Sequence, residues 1–91
     1  MLSNPTFPDA RELLGDLLLG RNQAVAAVVH YREAVRLRPP SVRATFGLGM
    51  ALAASGDRAG AIPLLRRAAA APDEETRKRA LELLRQLDVV R

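Results

Sequence analysis

Residues 10–34, ARELLGDLLLGRNQAVAAVVHYREA, and residues 44–68, ATFGLGMALAASGDRAGAIPLLRRA, decide the fold when one is laid over the other. At a shift of 34 residues, Ala10 meets Ala44, Leu14-Gly15 meets Leu48-Gly49, and Leu18 meets Leu52. Further on, Ala27-Val28 meets Ala61-Ile62, Tyr31-Arg32 meets Leu65-Arg66, and Ala34 meets Ala68. The matched positions are mostly small or apolar and fall at three- and four-residue spacing, which marks one face of a helix. A fixed period of this length is the signature of stacked supersecondary units.

The helix breakers keep the same period. Pro8 opens a first helix, where its missing N–H costs nothing, and Thr6 with Asp9 suits a capping box. Gly20-Arg21-Asn22 interrupts the pattern. Asn22 can either cap the next helix or take a left-handed turn. Pro39-Pro40 stops the second helix, and Ser41 is a good N-cap for the third. Gly56 suits a left-handed C-cap and Asp57 the start of a fourth helix. Pro72-Asp73 ends the fourth, and Asp73, Glu74 and Glu75 put negative charge at the positive end of a fifth. The spacing predicts five helices, at about 8–20, 23–37, 42–55, 58–71 and 74–88. Pro63 falls beyond the first turn of the fourth and deletes a hydrogen bond to Ala59, so a slight bend is expected there, on a solvent-facing side.

Composition agrees with an all-α chain. Of 91 residues 48% are hydrophobic, only three are aromatic, and the rest of the apolar content is chiefly Ala, Leu and Val. The absence of cysteine removes disulfides, thiolate nucleophiles and Cys-based zinc sites, and a single histidine cannot build a His-rich metal site. The apolar runs fall far below the ~20 residues of a membrane span. Met1-Leu2-Ser3-Asn4-Pro5 has no charged segment followed by an apolar one, so no signal peptide is expected and a cytoplasmic location is the default. The net charge is +4 and the charges are mixed along the chain, as on ordinary solvated faces.

A 34-residue helix–turn–helix with Leu-Gly in its first helix, two alanines seven apart in its second and a closing proline resembles the tetratricopeptide repeat. One copy spans Pro8 to Ser41 and the other Val42 to Glu75. The expected architecture is a right-handed superhelix of two antiparallel hairpins and a capping helix at 74–88, in a single domain over 1–91. The resemblance implies that Gly15 and Gly49 sit where the two helices of a hairpin nearly touch. Ala27 and Ala61 would face those glycines, and Ala34 and Ala68 would pack against the next repeat. The chain departs from the family pattern where Arg11 and Thr45 stand in the tryptophan place and Leu18 and Leu52 in the tyrosine place. Its second proline, Pro72, comes one residue early. Each hairpin alone cannot bury its apolar face, and two plus a cap is near the minimum stack.

By the same resemblance, the first helix of each hairpin lines a concave groove. Asp9, Glu12, Leu13, Asp16 and Leu19 would face it from the first copy, and Arg43, Phe46, Gly47, Met50 and Ala53 from the second. Arg79, Leu83 and Gln86 of the fifth helix would join them. Phe46 and Met50, four apart, share one helical face. They either offer an adaptable apolar contact to a peptide or simply pack on the capping helix. Glu12 and Asp16 have the wrong sign for a clamp on a terminal carboxylate, so that family function is rejected. A groove acidic at one end and basic at the other would favour a partner of opposite polarity.

Other polar features read blandly. Arg77-Lys78-Arg79 is expected to be the solvated face of a helix, with Glu74 and Glu75 as ion-pair partners, and the scarcity of aromatics speaks against RNA. His30 has no acid–base partners in the sequence. Tyr31 reads as core with its hydroxyl at an edge. Gly47-Leu48-Gly49 sits inside a helix, where close packing explains it better than a phosphate loop. The expected function is therefore a protein-interaction scaffold holding a peptide or helix of a partner protein, with no catalysis, cofactor, metal, nucleic acid or membrane. The alternatives are a self-associating repeat domain, which pairs its open apolar end with a second copy, or a segment of a longer array.

Overall fold

The computed structural model describes residues 8–37 and 42–88, with side chains from residue 10 to 37 and from 42 to 87. Among these residues the chain is all-helical: α1 (Pro8–Gly20), α2 (Ala24–Leu37), α3 (Val42–Ala54), α4 (Arg58–Ala69) and α5 (Glu74–Asp88). Each helix packs against its sequence neighbours, and α3 additionally touches α1 and α5. This is the α-α hairpin order that the repeat predicts, with α1–α2 and α3–α4 as the hairpins and α5 against α4. Pro39-Pro40 and Ser41, and the capping box at Thr6 and Asp9, lie outside the described residues.

The period extends to the hydrogen bonds of the turns. Gln23 N–H donates to the Leu18 carbonyl at 2.8 Å, and 34 residues on Asp57 N–H donates to Leu52 at 2.8 Å. This six-to-one closure needs a left-handed residue just inside it. Asn22 supplies it in the first hairpin with φ 65°, and Gly56 in the second with φ 97°. Of the two readings open for Asn22, the left-handed turn is the one adopted. Asp57 then caps α4 by accepting from Gly60 N–H at 2.9 Å, and Asp73 accepts from the backbone and hydroxyl of Thr76 at the head of α5. Those bonds hold the Asp73 carboxyl below its usual range. Pro63 stands on an exposed side of α4, and the helix runs through it.

The core is thin and built on small residues. Ala27, Ala34, Ala44, Ala51, Ala61, Ala68 and Ala80 are fully or almost fully buried, and they let the helices approach closely. Tyr31 and Leu65 are the largest side chains removed completely from solvent, and they are 34 residues apart. The glycines serve these two residues more than the alanines. A Cβ on Gly15 would lie 2.8–2.9 Å from the Tyr31 ring, and one on Gly49 would lie 3.0–3.1 Å from Leu65. The nearest side chain to each glycine is thus not the expected alanine, Ala27 or Ala61, but a larger residue. The glycines make room for the bulky residue one turn further along the partner helix. Gly47 does the same from α3, so the Tyr31 ring is wedged between two glycines of different hairpins.

Candidate functional site

Of the residues expected in the groove, Asp16 of α1, Arg43, Phe46, Gly47 and Met50 of α3 and Arg79 of α5 line one hollow. Tyr31 fixes its acidic side: the phenol O–H donates to an Asp16 carboxylate oxygen. Burial, and then the Asp16 acceptor, push the Tyr31 pKa well above the ordinary tyrosine value. Asp16 accepts in turn from Arg43 at 3.1 Å. Arg43 also lies 3.6 Å from Glu12, which is buried at the α1–α3 joint. Arg43 is mostly exposed, so these pairs are screened and of modest worth. Their geometric effect is larger, because they tie the first helix of one hairpin to the first helix of the next.

Glu12, Asp16 and Arg43 converge, and the three together keep one net negative charge on the α1 side. The basic character lies on α5. Neither Lys78 nor Arg79 pairs with Glu74 or Glu75, contrary to expectation. Arg77 donates to the Ala71 carbonyl at 3.2 Å, closing the end of α4, and the Arg79 guanidinium carbon stands 5.4 Å above the centre of the Phe46 ring. That distance suits a cation–π contact. Glu82 is held by Arg85, which keeps its carboxyl below the usual range.

Two adjoining hollows share Phe46, Met50 and Arg79. One, of 380 Å³, is completed by Glu75, Lys78, Glu82 and Leu83. The other, of 370 Å³, is completed by Asp16, Arg43, Gly47 and Thr76. Phe46 is buried as their floor, beneath α5, while Met50 stays half-exposed between them. Met50 also packs, in part, against the core. Leu13 lines neither hollow and is exposed on α1, and the Asp9 side chain lies outside the described residues. Sequence reasoning passed over Thr76 and Glu75 as wall residues. The position of α5 over α3 brings them in, and no periodic signal marks them.

His30 is half-buried at the α1–α2 joint, with Nδ1 3.1 Å from an Arg11 guanidinium nitrogen. It has no carboxylate partner there. Among the described residues no group of three or more His, Cys, Asp or Glu side chains could hold a metal ion, and no helix is long and apolar enough to cross a membrane.

Paired antiparallel helices with a repeated turn and a glycine-lined joint define a helical-repeat protein. The family model for the tetratricopeptide repeat matches residues 12–75, and the chain belongs to that family. It is 46% identical over 61 residues to the TPR repeat-containing protein PA4299 of Pseudomonas aeruginosa. That match covers 67% of this chain and 25% of the relative, so the chain spans about a quarter of the relative's length. No solved structure matches.

Proposed function

We propose that the chain is a protein-interaction scaffold whose ligand, a peptide or helix of another protein, lies across α3 and α5 with an apolar side chain against Met50. The observation that carries this reading is the pair of hollows meeting at Phe46, Met50 and Arg79. An unbranched thioether adapts to varied apolar partners. The Lys78 and Arg79 charges beside it, which form no ion pair among the described residues, favour a ligand with a carboxylate next to its apolar anchor. Helical repeats of this family serve as interaction scaffolds in general. No catalytic role is proposed, because Asp16, Glu12 and Tyr31 are committed to one another and to Arg43.

Selection of displayed random peptides on the immobilised chain tests the reading. Selected peptides should carry an apolar residue beside Asp or Glu. Met50→Glu should weaken them at least about tenfold, as expected for an anchor at the centre of an interface. Peptides that bind Met50→Glu as well as the parent chain would place the ligand elsewhere.

A further inference from the structure

We propose that the ligand is dipolar: a basic group on one side of its apolar anchor meets Asp16 of α1, and a carboxylate on the other side meets Lys78 and Arg79 of α5. This rests on the reading that the hollows around Met50 hold a peptide. It adds a second charged contact and an order of charges along the ligand.

Asp16 is a fixed and accessible acceptor. Its side chain is 42% exposed and lines the hollow that Met50 and Arg79 also line. The buried Tyr31 hydroxyl donates to one carboxylate oxygen, and Arg43 donates to the other at 3.1 Å. An ionised carboxylate has about four acceptor sites. The two bonds therefore hold the group in place and leave room for a further donor. Arg43 does not neutralise this side of the hollow, because it also lies 3.6 Å from the buried Glu12. One guanidinium between two carboxylates leaves one negative charge. That charge attracts a ligand ammonium or guanidinium and repels a second ligand carboxylate.

The α5 side carries the opposite sign. Lys78 and Arg79 are exposed, form no ion pair among the described residues, and line the adjoining hollow. Two acids share that wall. Glu82 is bonded to Arg85 and Gln86, which leaves Glu75 against two cations and a surplus of one positive charge. Glu75 also sits in the first turn of α5, where the helix dipole offsets part of its charge. Phe46 and Met50 line both hollows. The order along the wall is thus acid, apolar, base, and its complement is base, apolar, acid. Helix α3 packs against both α1 and α5, which do not pack on each other. Two interaxial steps of ~8–10 Å match about five or six residues of extended chain at ~3.3 Å each. With long side chains making up part of the span, the two ligand charges belong about four to six residues apart.

Calorimetric titration of the full chain with three synthetic peptides tests this. Each has a central leucine and a glutamate two residues after it, in a serine background. The residue two before the leucine is lysine, glutamine or glutamate. On the parent chain the lysine peptide should bind about threefold to tenfold more tightly than the glutamine peptide, and the glutamate peptide more weakly than either. Asp16→Asn keeps an acceptor for Tyr31 and should bring the lysine and glutamine peptides within about twofold of each other. The proposal is overturned if lysine gives no advantage on the parent chain, a comparison that needs no variant to fold. It is equally overturned if the advantage survives Asp16→Asn. Met50→Glu separates this result from the underlying reading. If it abolishes binding of all three peptides while lysine gives no advantage on the parent, the dipolar ligand alone fails. Peptides that bind Met50→Glu as tightly as the parent, or that do not bind the parent at millimolar concentration, overturn both.

Discussion

The two hairpins are built on one pattern, yet α1 and α3 lead opposite lives. Leu14 is 39% exposed and its counterpart Leu48 is 5% exposed. The difference is positional. Helix α3 packs against α2, α4 and α5, whereas among the described helices α1 packs only against α2 and α3. In a stack, burial belongs to the joint between units, so the same residue in the same register can be core in one copy and surface in the next.

The sharpest way to break the comparison is to truncate both leucines. Leu48→Ala should cost about 2–5 kcal/mol, the range for a buried leucine whose site cannot collapse. Leu14→Ala should cost less than about 1.5 kcal/mol in the dilute monomer, because much of its surface is already in water. Urea unfolding of both variants measures the gap, and equal costs would mean that α1 is covered in solution.

A second contrast uses glycine. Replacing a helical glycine by alanine ordinarily stabilises by about 0.4–1 kcal/mol. Gly20→Ala should follow that rule, since a Cβ there meets nothing. Gly47→Ala should reverse it and destabilise by about 1–3 kcal/mol, because the Tyr31 ring occupies the space. Thermal melts of the pair should move in opposite directions.

The smallest effect concerns pH. The Tyr31 pKa is raised in the folded chain by burial and by Asp16. The unfolded chain therefore gives up the phenolic proton first, near pH 10. Stability from this source is intact below that pH and declines as pH rises above it. Tyr31→Phe should remove the part of the alkaline decline that belongs to this proton, at a cost of about 1 kcal/mol for the lost hydrogen bond. Melting temperatures of both proteins through the alkaline range measure it.

Helix order and the turns were legible because each depends on a few neighbouring residues. Asn22 and Gly56 differ chemically, but both tolerate the left-handed backbone that the turn demands. Ala27, Ala34, Ala61 and Ala68 announced themselves through spacing. Three features were not legible. The wedge of Tyr31 between Gly15 and Gly47, the convergence of Arg43 on Glu12 and Asp16, and the seat of Arg79 on Phe46 all join residues far apart in sequence. They depend on how far a side chain reaches across a joint, and periodicity carries no record of reach. For the candidate groove, the sequence marked Phe46, Met50 and Arg79 as neighbours but not the bonds that join Asp16 to Tyr31 and Arg43.

Tyr31 has a consequence for observing the molecule. The chain holds no tryptophan and this single tyrosine, and its ring touches α1, α2 and α3 at once. Intrinsic fluorescence above the weak phenylalanine background therefore comes from one place, the seam between the hairpins. A labelled probe is unnecessary for following that seam. A ligand or a second copy that shifts the hairpins relative to each other will change the tyrosine emission, while one that docks without disturbing the seam will leave it dark to the binding event.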